Sequence, residues 1–217
     1  HELRTPLTGI VGFSELLHDR RVNESQLQEV CDWIHNQSRY MSRLLDDLLE
    51  LTAIERQPDL SITKSLGDVA PSISYAIERV MKPGMEGRIH THIEPGLPKL
   101  LLDHSRAGQA IGNVLSNALK YSPADQPVRV EAFLDRSSEK PSVAVRVIDA
   151  GPGMLPEEVR RIFDRFWRSE SAAQTPGTGL GMSIVKSIVT AHGGEIKVNS
   201  QPGEGTQITL SWPLVYS

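Results

Sequence analysis

The feature that most constrains the fold is a pair of neighbouring heptad seams within residues 24 to 56. The first seam consists of Leu27, Cys31, Ile34, Ser38, Met41, Leu45, Leu48 and Thr52. The second seam consists of Val30, Ile34, Gln37, Met41, Leu44, Leu48 and Leu51. Two adjacent seams make a wide apolar stripe on one helix, as a helix inside a bundle requires. At about 1.5 Å per residue, this helix would be roughly 50 Å long.

A shorter helix is predicted for residues 1 to 18, where Leu3, Leu7, Ile10 and Leu17 recur at helical spacing. We expect Leu3, Leu7 and Ile10 to point inward. The polar segment 19–23 separates the two helices, with Asn23 as N-cap of the second. The pattern therefore predicts an antiparallel helical hairpin.

The predicted hairpin is lopsided, because its first helix is about half as long as its second. We expect residues upstream of position 1 to continue the first helix, and the distal half of the second helix to lack a partner. The double stripe would then be exposed unless a second copy covers it. This favours a homodimer through the hairpin, as a four-helix bundle; the alternative is that the stripe packs on the downstream domain.

A second domain is expected after the helix-breaking residues Gln57, Pro58 and Asp59. The predicted division is 1–57 and 58–217, which suits a chain of 217 residues. Strands are predicted at 60–65, 88–94, 128–134, 142–149, 195–200 and 206–213, and helices at 68–81, 105–120, 157–163 and 180–191. This mixture indicates an α+β sandwich.

Charge and cysteine content exclude several classes of function. Lys and Arg number 23 against 27 Asp and Glu, so the net charge of -4 does not favour nucleic acid binding. Apolar runs are too short to span a bilayer, so no membrane contact is expected from this segment, although a membrane anchor elsewhere in the full-length protein stays open. The single cysteine, Cys31, fits a reduced, cytoplasmic location.

The first chemical motif is His1-Glu2-Leu-Arg-Thr5-Pro6-Leu. Helical spacing places His1, Thr5 and Thr8 on one exposed face, and Pro6 bends the helix beside His1. A neutral imidazole can act as a nucleophile, and the Glu2 carboxylate can accept its proton. Taken alone, the same pattern also describes an ordinary solvated helix face.

Two further motifs carry polar groups suited to a nucleotide. Asn113, Asn117 and Lys120 share one face of a helix, where they suit hydrated Mg²⁺ and a phosphate tail; a polar surface face is the alternative. In Asp149-Ala-Gly151-Pro-Gly153 the carboxylate continues an inward-facing strand series and could accept from the exocyclic amine of adenine, with the glycines letting backbone pass close to the base. A turn-capping Asp149 is equally compatible with that pattern.

The last motifs are glycine-rich or aromatic. In Gly177-Thr178-Gly179-Leu180-Gly181, backbone N–H groups at the start of a helix can bind phosphate, although a simple hinge has the same pattern. The segment Phe163-Asp-Arg165-Phe-Trp-Arg168 offers aromatic anchors and arginines that can meet phosphates. This segment belongs to the long stretch between Gly153 and Gly177, which is flanked by glycines and is a candidate lid.

In this order the five motifs resemble those of the transmitter region of bacterial sensor histidine kinases. Residues 1–10 resemble the H box, 113–122 the N box, 149–153 the G1 box, 163–168 the F box and 177–181 the G2 box. The resemblance implies a dimerisation and phosphoacceptor hairpin followed by a Bergerat-type ATP-binding domain. It covers essentially the whole chain.

The same resemblance implies roles for particular residues. His1 would be phosphorylated with help from Glu2, Asn113 and Asn117 would serve Mg²⁺, Lys120 and Tyr121 would meet ATP, and Asp149 would read adenine. Thr5 would assist dephosphorylation of the partner, a response regulator receiver domain that accepts phosphate on an aspartate. Two rival functions are an ATP-driven clamp of the gyrase and Hsp90 kind and a non-catalytic pseudokinase.

Overall fold

The computed structural model describes residues 3–19, 22–56, 62–137, 140–169 and 177–214. Helices α1 (Arg4–His18) and α2 (Glu24–Arg56) form the predicted hairpin. The side-chain oxygen of Asn23 accepts from the backbone N–H of Gln26 at 2.9 Å, which confirms the predicted N-cap. None of the helices within these ranges is both long and apolar enough to cross a membrane.

The face of α1 that contacts α2 is not the predicted one. Leu3 and Leu7 are exposed, whereas Pro6 is buried. A Cβ on Gly9 would overlap the indole of Trp33, whose ring centroid also lies 4.6 Å from that of Phe13. The indole enters the space left by the glycine and thereby rotates the apolar leucines of α1 toward the surface of the single chain.

The remainder of the chain forms an α/β domain. Its elements are β1 (Ser65–Gly67), α3 (Ala70–Val80), β2 (Ile89–Ile93), β3 (Leu100–Leu102), α4 (His104–Tyr121), β4 (Val128–Asp135), β5 (Ser142–Asp149), α5 (Pro156–Arg161), α6 (Gly181–Ala191), β6 (Glu195–Gln201) and β7 (Gly205–Pro213). Five strands form one sheet in the order β2-β4-β5-β7-β6, in which only the β2–β4 pair is parallel.

The core lies between this sheet and its helices. Val143, Val145 and Val147 alternate along β5 on the buried face and join one apolar cluster with residues of α3, α4 and α6. The predicted α+β sandwich is therefore confirmed.

One short sheet departs from the prediction. β3 was not predicted, and β1 begins at Ser65, where the predicted strand over 60–65 ends; residues 57–61 lie outside the described ranges. β1 and β3 pair antiparallel, with Leu66 opposite Leu101. Strands of three residues are too short to show the two-residue period on which strand prediction depends.

The two seams of α2 have different environments. Leu44 and Leu51 of the second seam are almost completely buried, whereas Leu27, Cys31 and Leu45 of the first seam are exposed. Leu51 and Ile54 belong to the same apolar cluster as residues of α6. The expectation that distal α2 lacks a partner is therefore wrong, because the end of the second seam packs on the α/β domain.

A buried histidine joins two helices of that domain. Asp103 caps α4 by accepting from the backbone N–H groups of Ser105 and Arg106, each at 3.1 Å. Its own N–H donates to Nε2 of His192 at 3.0 Å, and Nδ1 of His192 donates to the carbonyl of Ile188 at 2.8 Å. Accepting at Nε2 requires the neutral ring.

This arrangement predicts a pH-dependent stability. Burial lowers the pKa of His192 below its ordinary value; the hydrogen bond to Ile188 and the charge of Asp103 oppose this change, and Lys64 and His104 add to it. Below about pH 6.5 the unfolded chain therefore binds more protons at this residue than the folded chain does. The free energy of unfolding then falls by at most about 1.4 kcal/mol for each pH unit by which the pH is lowered. Denaturant unfolding between about pH 7.5 and 5.5 should show a steeper loss in the wild type than in His192→Gln. Parallel curves would contradict the assignment.

Candidate active site

A cleft of about 760 Å³ brings most of the predicted site residues together. It lies between α4, the end of β5, the glycine-rich segment before α6, and α2. The predicted residues that line it are Asn113, Asn117, Lys120, Tyr121, Asp149, Gly153, Arg168, Gly177, Thr178, Gly179 and Gly181. Motifs separated by up to 68 residues in the chain thus form one concave surface.

Helix α4 supplies the polar wall of the cleft. Its buried face consists of small and branched apolar residues, including Ala110 and Val114, so Asn113 and Asn117 project one turn apart on the opposite side. Asn113 donates through Nδ2 to the carbonyl of Gly181 at 3.3 Å. Nζ of Lys120 donates to the Tyr121 hydroxyl at 2.9 Å. The wall therefore presents amide oxygens and one cation.

Asp149 ends β5 beside an apolar part of the cleft formed by Val147 and Ile208. Its Oδ1 accepts from the N–H of Gly151 at 2.8 Å, so the turn-capping interpretation is correct as far as it goes. The carboxylate also lines the cleft. Burial raises the pKa of Asp149, opposed by the backbone hydrogen bonds from Gly151 and Thr206. A half-buried carboxylate of this kind gains from an additional donor.

The glycines of the G1 and G2 boxes permit close approaches within the protein. Gly153 has φ +69°, and a Cβ there would overlap the carbonyl of Gln201. Gly179 has φ +72°, and its Cβ would lie 2.7 Å from the backbone of Phe166. Gly151 does not line the cleft. A Cβ built on Gly151 would lie 2.8 Å from Oδ1 of Asp149. These close contacts within the protein account for the presence of glycine at these positions, independently of any ligand.

Two other predicted residues lie away from the cleft. Leu180 is completely buried, and Arg165 lines a second depression together with Ile54 and Lys186. His1 and Glu2 lie outside the described residues. Thr5 is exposed on α1, as predicted.

Sequence reasoning missed a set of cleft residues on α2. These are Tyr40, Arg43, Asp46, Asp47 and Glu50, which recur at helical spacing. The hydroxyl of Thr178 donates to Oδ2 of Asp47 at 2.8 Å. Burial raises the pKa of Asp47, and the bond from Thr178 opposes this change. The helical spacing of these polar residues predicts that they share one face of α2, but it does not show that this face contacts the α/β domain.

Family models match both parts of the chain. The model for histidine kinase-, DNA gyrase B-, and HSP90-like ATPases matches residues 102–216. The model for the His Kinase A phosphoacceptor domain matches residues 1–57. A phosphoacceptor hairpin joined to an ATPase domain of this type defines the class. The chain belongs to the histidine kinase family and is the transmitter region of a sensor histidine kinase.

Individual relatives agree with that assignment. The chain is 32% identical over 225 residues to the non-motile and phage-resistance protein of Caulobacter vibrioides, covering 100% of this chain and 26% of that protein. It is 34% identical over 216 residues to the adaptive-response sensory kinase SasA of Parasynechococcus marenigrum, covering 99% and 55% respectively. The chain thus spans about a quarter to a half of these relatives.

Solved structures show the same fold. The Acinetobacter baumannii histidine kinase AdeS has a TM-score of 0.72 at 22% identity, covering 100% of this chain and 98% of that one. Full-length ShkA, solved in complex with AMPPNP, has a TM-score of 0.70 at 26% identity, covering 100% of this chain and 45% of that one.

Proposed function

We propose that this chain transfers the γ-phosphoryl group of ATP to His1 and then to an aspartate on a response regulator receiver domain. The observation that carries the proposal is the single cleft in which Asn117, Lys120, Asp149 and Thr178 meet, in a chain that also matches the phosphoacceptor model. We divide the chain at 1–57, the phosphoacceptor domain, and 58–217, the catalytic domain, and place both in the cytoplasm.

The cleft suits each part of ATP. Asp149 would accept from the adenine amine beside the apolar surface of Val147 and Ile208. Lys120, with Tyr121 next to it, would meet the phosphates. The segment 177–181 would add backbone N–H groups at the start of α6, where the helix dipole favours anions. Complex formation between ShkA and AMPPNP supports this assignment.

The residues present also fit Mg²⁺. Magnesium prefers hard oxygen ligands and keeps several waters when it bridges phosphates. The Nδ2 of Asn113 donates to the carbonyl of Gly181, which leaves Oδ1 as the cation-binding atom, and Asn117 stands one turn away. Across the described ranges no group of three or more His, Cys, Asp or Glu forms an alternative site. Bound Mg²⁺ would neutralise charge on the phosphates.

The proposed reaction has two steps. A neutral imidazole nitrogen of His1 attacks the γ-phosphorus, the bond to ADP breaks, and Glu2 takes the proton that the ring releases. The phosphohistidine then donates its phosphoryl group to the regulator's carboxylate. Asn113, Asn117 and Lys120 act by positioning and by charge neutralisation.

A homodimer through the hairpin accounts for the exposed apolar surface. Leu3 at the N-cap of α1 and Leu7 and Val11 within α1 follow one another at four-residue spacing, and Leu27, Leu45 and Leu49 are exposed on α2. Burying both rows against a second copy would produce the four-helix bundle that the heptads indicate. The match to the His Kinase A model supports this arrangement.

Incubation with ATP labelled at the γ-phosphate tests the proposed function. The expected product is protein-bound label that acid removes and alkali does not, with no label from ATP labelled at the α-phosphate. Release of inorganic phosphate without labelled protein would indicate a clamp ATPase instead. Nucleotide binding without either product would indicate a pseudokinase.

Replacing Thr5 with Ala should impair dephosphorylation of the regulator and spare autophosphorylation. Thr5 is exposed on α1 and follows His1 by four residues in the sequence, the spacing of one helical turn, so we propose that its hydroxyl orients a water beside a docked aspartyl phosphate. We expect regulator dephosphorylation to fall by about tenfold, as for loss of one catalytic hydrogen bond. Thr8→Ala, one turn further along, is the matched control. Parallel loss of both activities would show that Thr5 serves only the bend at Pro6.

A further inference from the structure

The acidic side chains that α2 places in the nucleotide cleft have no part in the proposed reaction. Asp46, Asp47 and Glu50 all line it, opposite the residues proposed to bind ATP. A triphosphate entering this cleft would meet these three carboxylates on the α2 side, where Arg43 is the one cation among the described α2 residues that line it. Like charges at close range oppose binding, particularly where water is partly excluded.

One of these carboxylates, that of Asp47, accepts a hydrogen bond from the proposed phosphate-binding segment 177–181. The Thr178 hydroxyl donates to Oδ2 of Asp47 at 2.8 Å, and the N–H of Leu180 donates to Oγ1 of Thr178 at 3.3 Å. Nζ of Lys120 lies 3.0 Å from the Cβ position of Gly177, the preceding residue. The Asp47 carboxylate therefore occupies the hydroxyl of Thr178 within the segment expected to receive phosphate.

A second set of contacts fixes α2 in this place. Glu50 forms an ion pair with Arg106 and accepts from Nε2 of Gln109 at 2.6 Å. Leu51 and Ile54, on the next turn, are 0% and 2% exposed and join the apolar core of the ATP-binding domain. These contacts supply the anchorage that Asp47 needs to remain opposite Thr178.

We propose that Asp47 is a tethered competitor of the ATP phosphates, which occupies the Thr178 hydroxyl at the glycine-rich end of the cleft. The inference rests on the proposed function of the cleft as an ATP site. ATP would displace the carboxylate from Thr178, and α2 would move away from the glycine-rich segment. Nucleotide binding would thereby be coupled to the position of the phosphoacceptor helix pair.

The proposed competition predicts a change in the Kd for ATP. When only a fraction of the molecules has Thr178 free of Asp47, the apparent Kd for ATP rises by the inverse of that fraction. Asp47→Ala removes the carboxylate and keeps a good helix former at the position. We expect it to lower the Kd for ATP about tenfold, equivalent to about 1.4 kcal/mol.

Titration calorimetry of the 217-residue chain with ATP and with adenosine tests the proposal. Because adenosine carries no phosphate, its Kd should change by less than about twofold in Asp47→Ala. Asp46→Ala removes another negative charge of the cleft without the bond to Thr178, so its effect on the Kd for ATP measures general repulsion and should be clearly smaller than that of Asp47→Ala. Asp32→Ala, on the exposed surface of α2, is the control for helix charge and should have no effect.

Each contrary result has a distinct meaning. An unchanged Kd for ATP in Asp47→Ala would overturn the inference and leave the proposed function intact. Equal tightening of ATP and adenosine would show that α2 is a steric cover and not a competitor of phosphate. An Asp46→Ala effect as large as that of Asp47→Ala would reduce the effect to general repulsion. Failure of the wild type and of Asp47→Ala to bind ATP would overturn both proposals.

Discussion

Replacing His1 with Gln is expected to abolish phosphorylation of the chain while ATP still binds with a Kd within about twofold of the wild type. The carboxamide has no nitrogen lone pair able to attack phosphorus, so the loss should exceed about a hundredfold. Within the part of the chain that the structure describes, the residues that line the cleft begin at Tyr40, so the nucleotide contacts remain. The measurements are incorporation of γ-label and calorimetric titration with ATP.

The same exchange at His35 is the matched control, because that histidine is exposed on α2. His35→Gln should incorporate label at the wild-type rate. Incorporation of label by His1→Gln would mean that another residue accepts the phosphoryl group, and the proposed reaction would be wrong. Loss of ATP binding in His1→Gln would instead point to a structural effect.

Replacing Asp149 with Asn should weaken ATP binding by roughly tenfold to a hundredfold and reduce the preference for adenine over guanine nucleotides. A hydrogen bond that involves a charged group contributes about 1.5 to 3 kcal/mol, and the amide replaces a pure acceptor by a group that also donates. The bond that Asp149 accepts from Gly151 can form equally with an Asn oxygen, so the turn should survive.

Asp164→Asn is the control for this substitution, because Asp164 is exposed in the F box and contacts Arg161. It removes the same charge without touching the cleft and should leave the Kd for ATP unchanged. An unchanged Kd in Asp149→Asn would contradict the assignment of this carboxylate to adenine. A change in the melting temperature without a change in Kd would leave only the turn-capping role.

Elements with a sustained period were predictable from the sequence. The apolar pattern predicted α4 and α6 to within one residue at each end, and the alternation of valines predicted β5 at its observed limits. The three-residue strands β1 and β3 have no period to detect. The face of α1 that contacts α2 was mispredicted. The contact is decided by the indole of Trp33, which fills the space left by the missing side chain of Gly9, and neither residue belongs to the heptad seams.

The candidate site was predictable where its residues share local elements. Asn113, Asn117 and Lys120 follow from the spacing along α4, and Asp149 from its position at the end of a strand. The bond between Thr178 and Asp47 joins residues 131 apart and depends on how two domains pack, which no local pattern encodes. The placement of Arg165 and Leu180 outside the cleft likewise depends on tertiary packing.

Among the described residues, the bond between Asp103 and His192 is one of two fixed points that set the width of the nucleotide cleft. It joins the N-cap of α4 to the C-cap of α6, and the two helices are joined again where Asn113 meets Gly181. Each span covers ten or eleven residues, about 15 Å of helix. A residue change at His192 therefore acts on the cleft from about 15 Å away, because it releases the far end of the helix whose near end carries the glycine-rich segment.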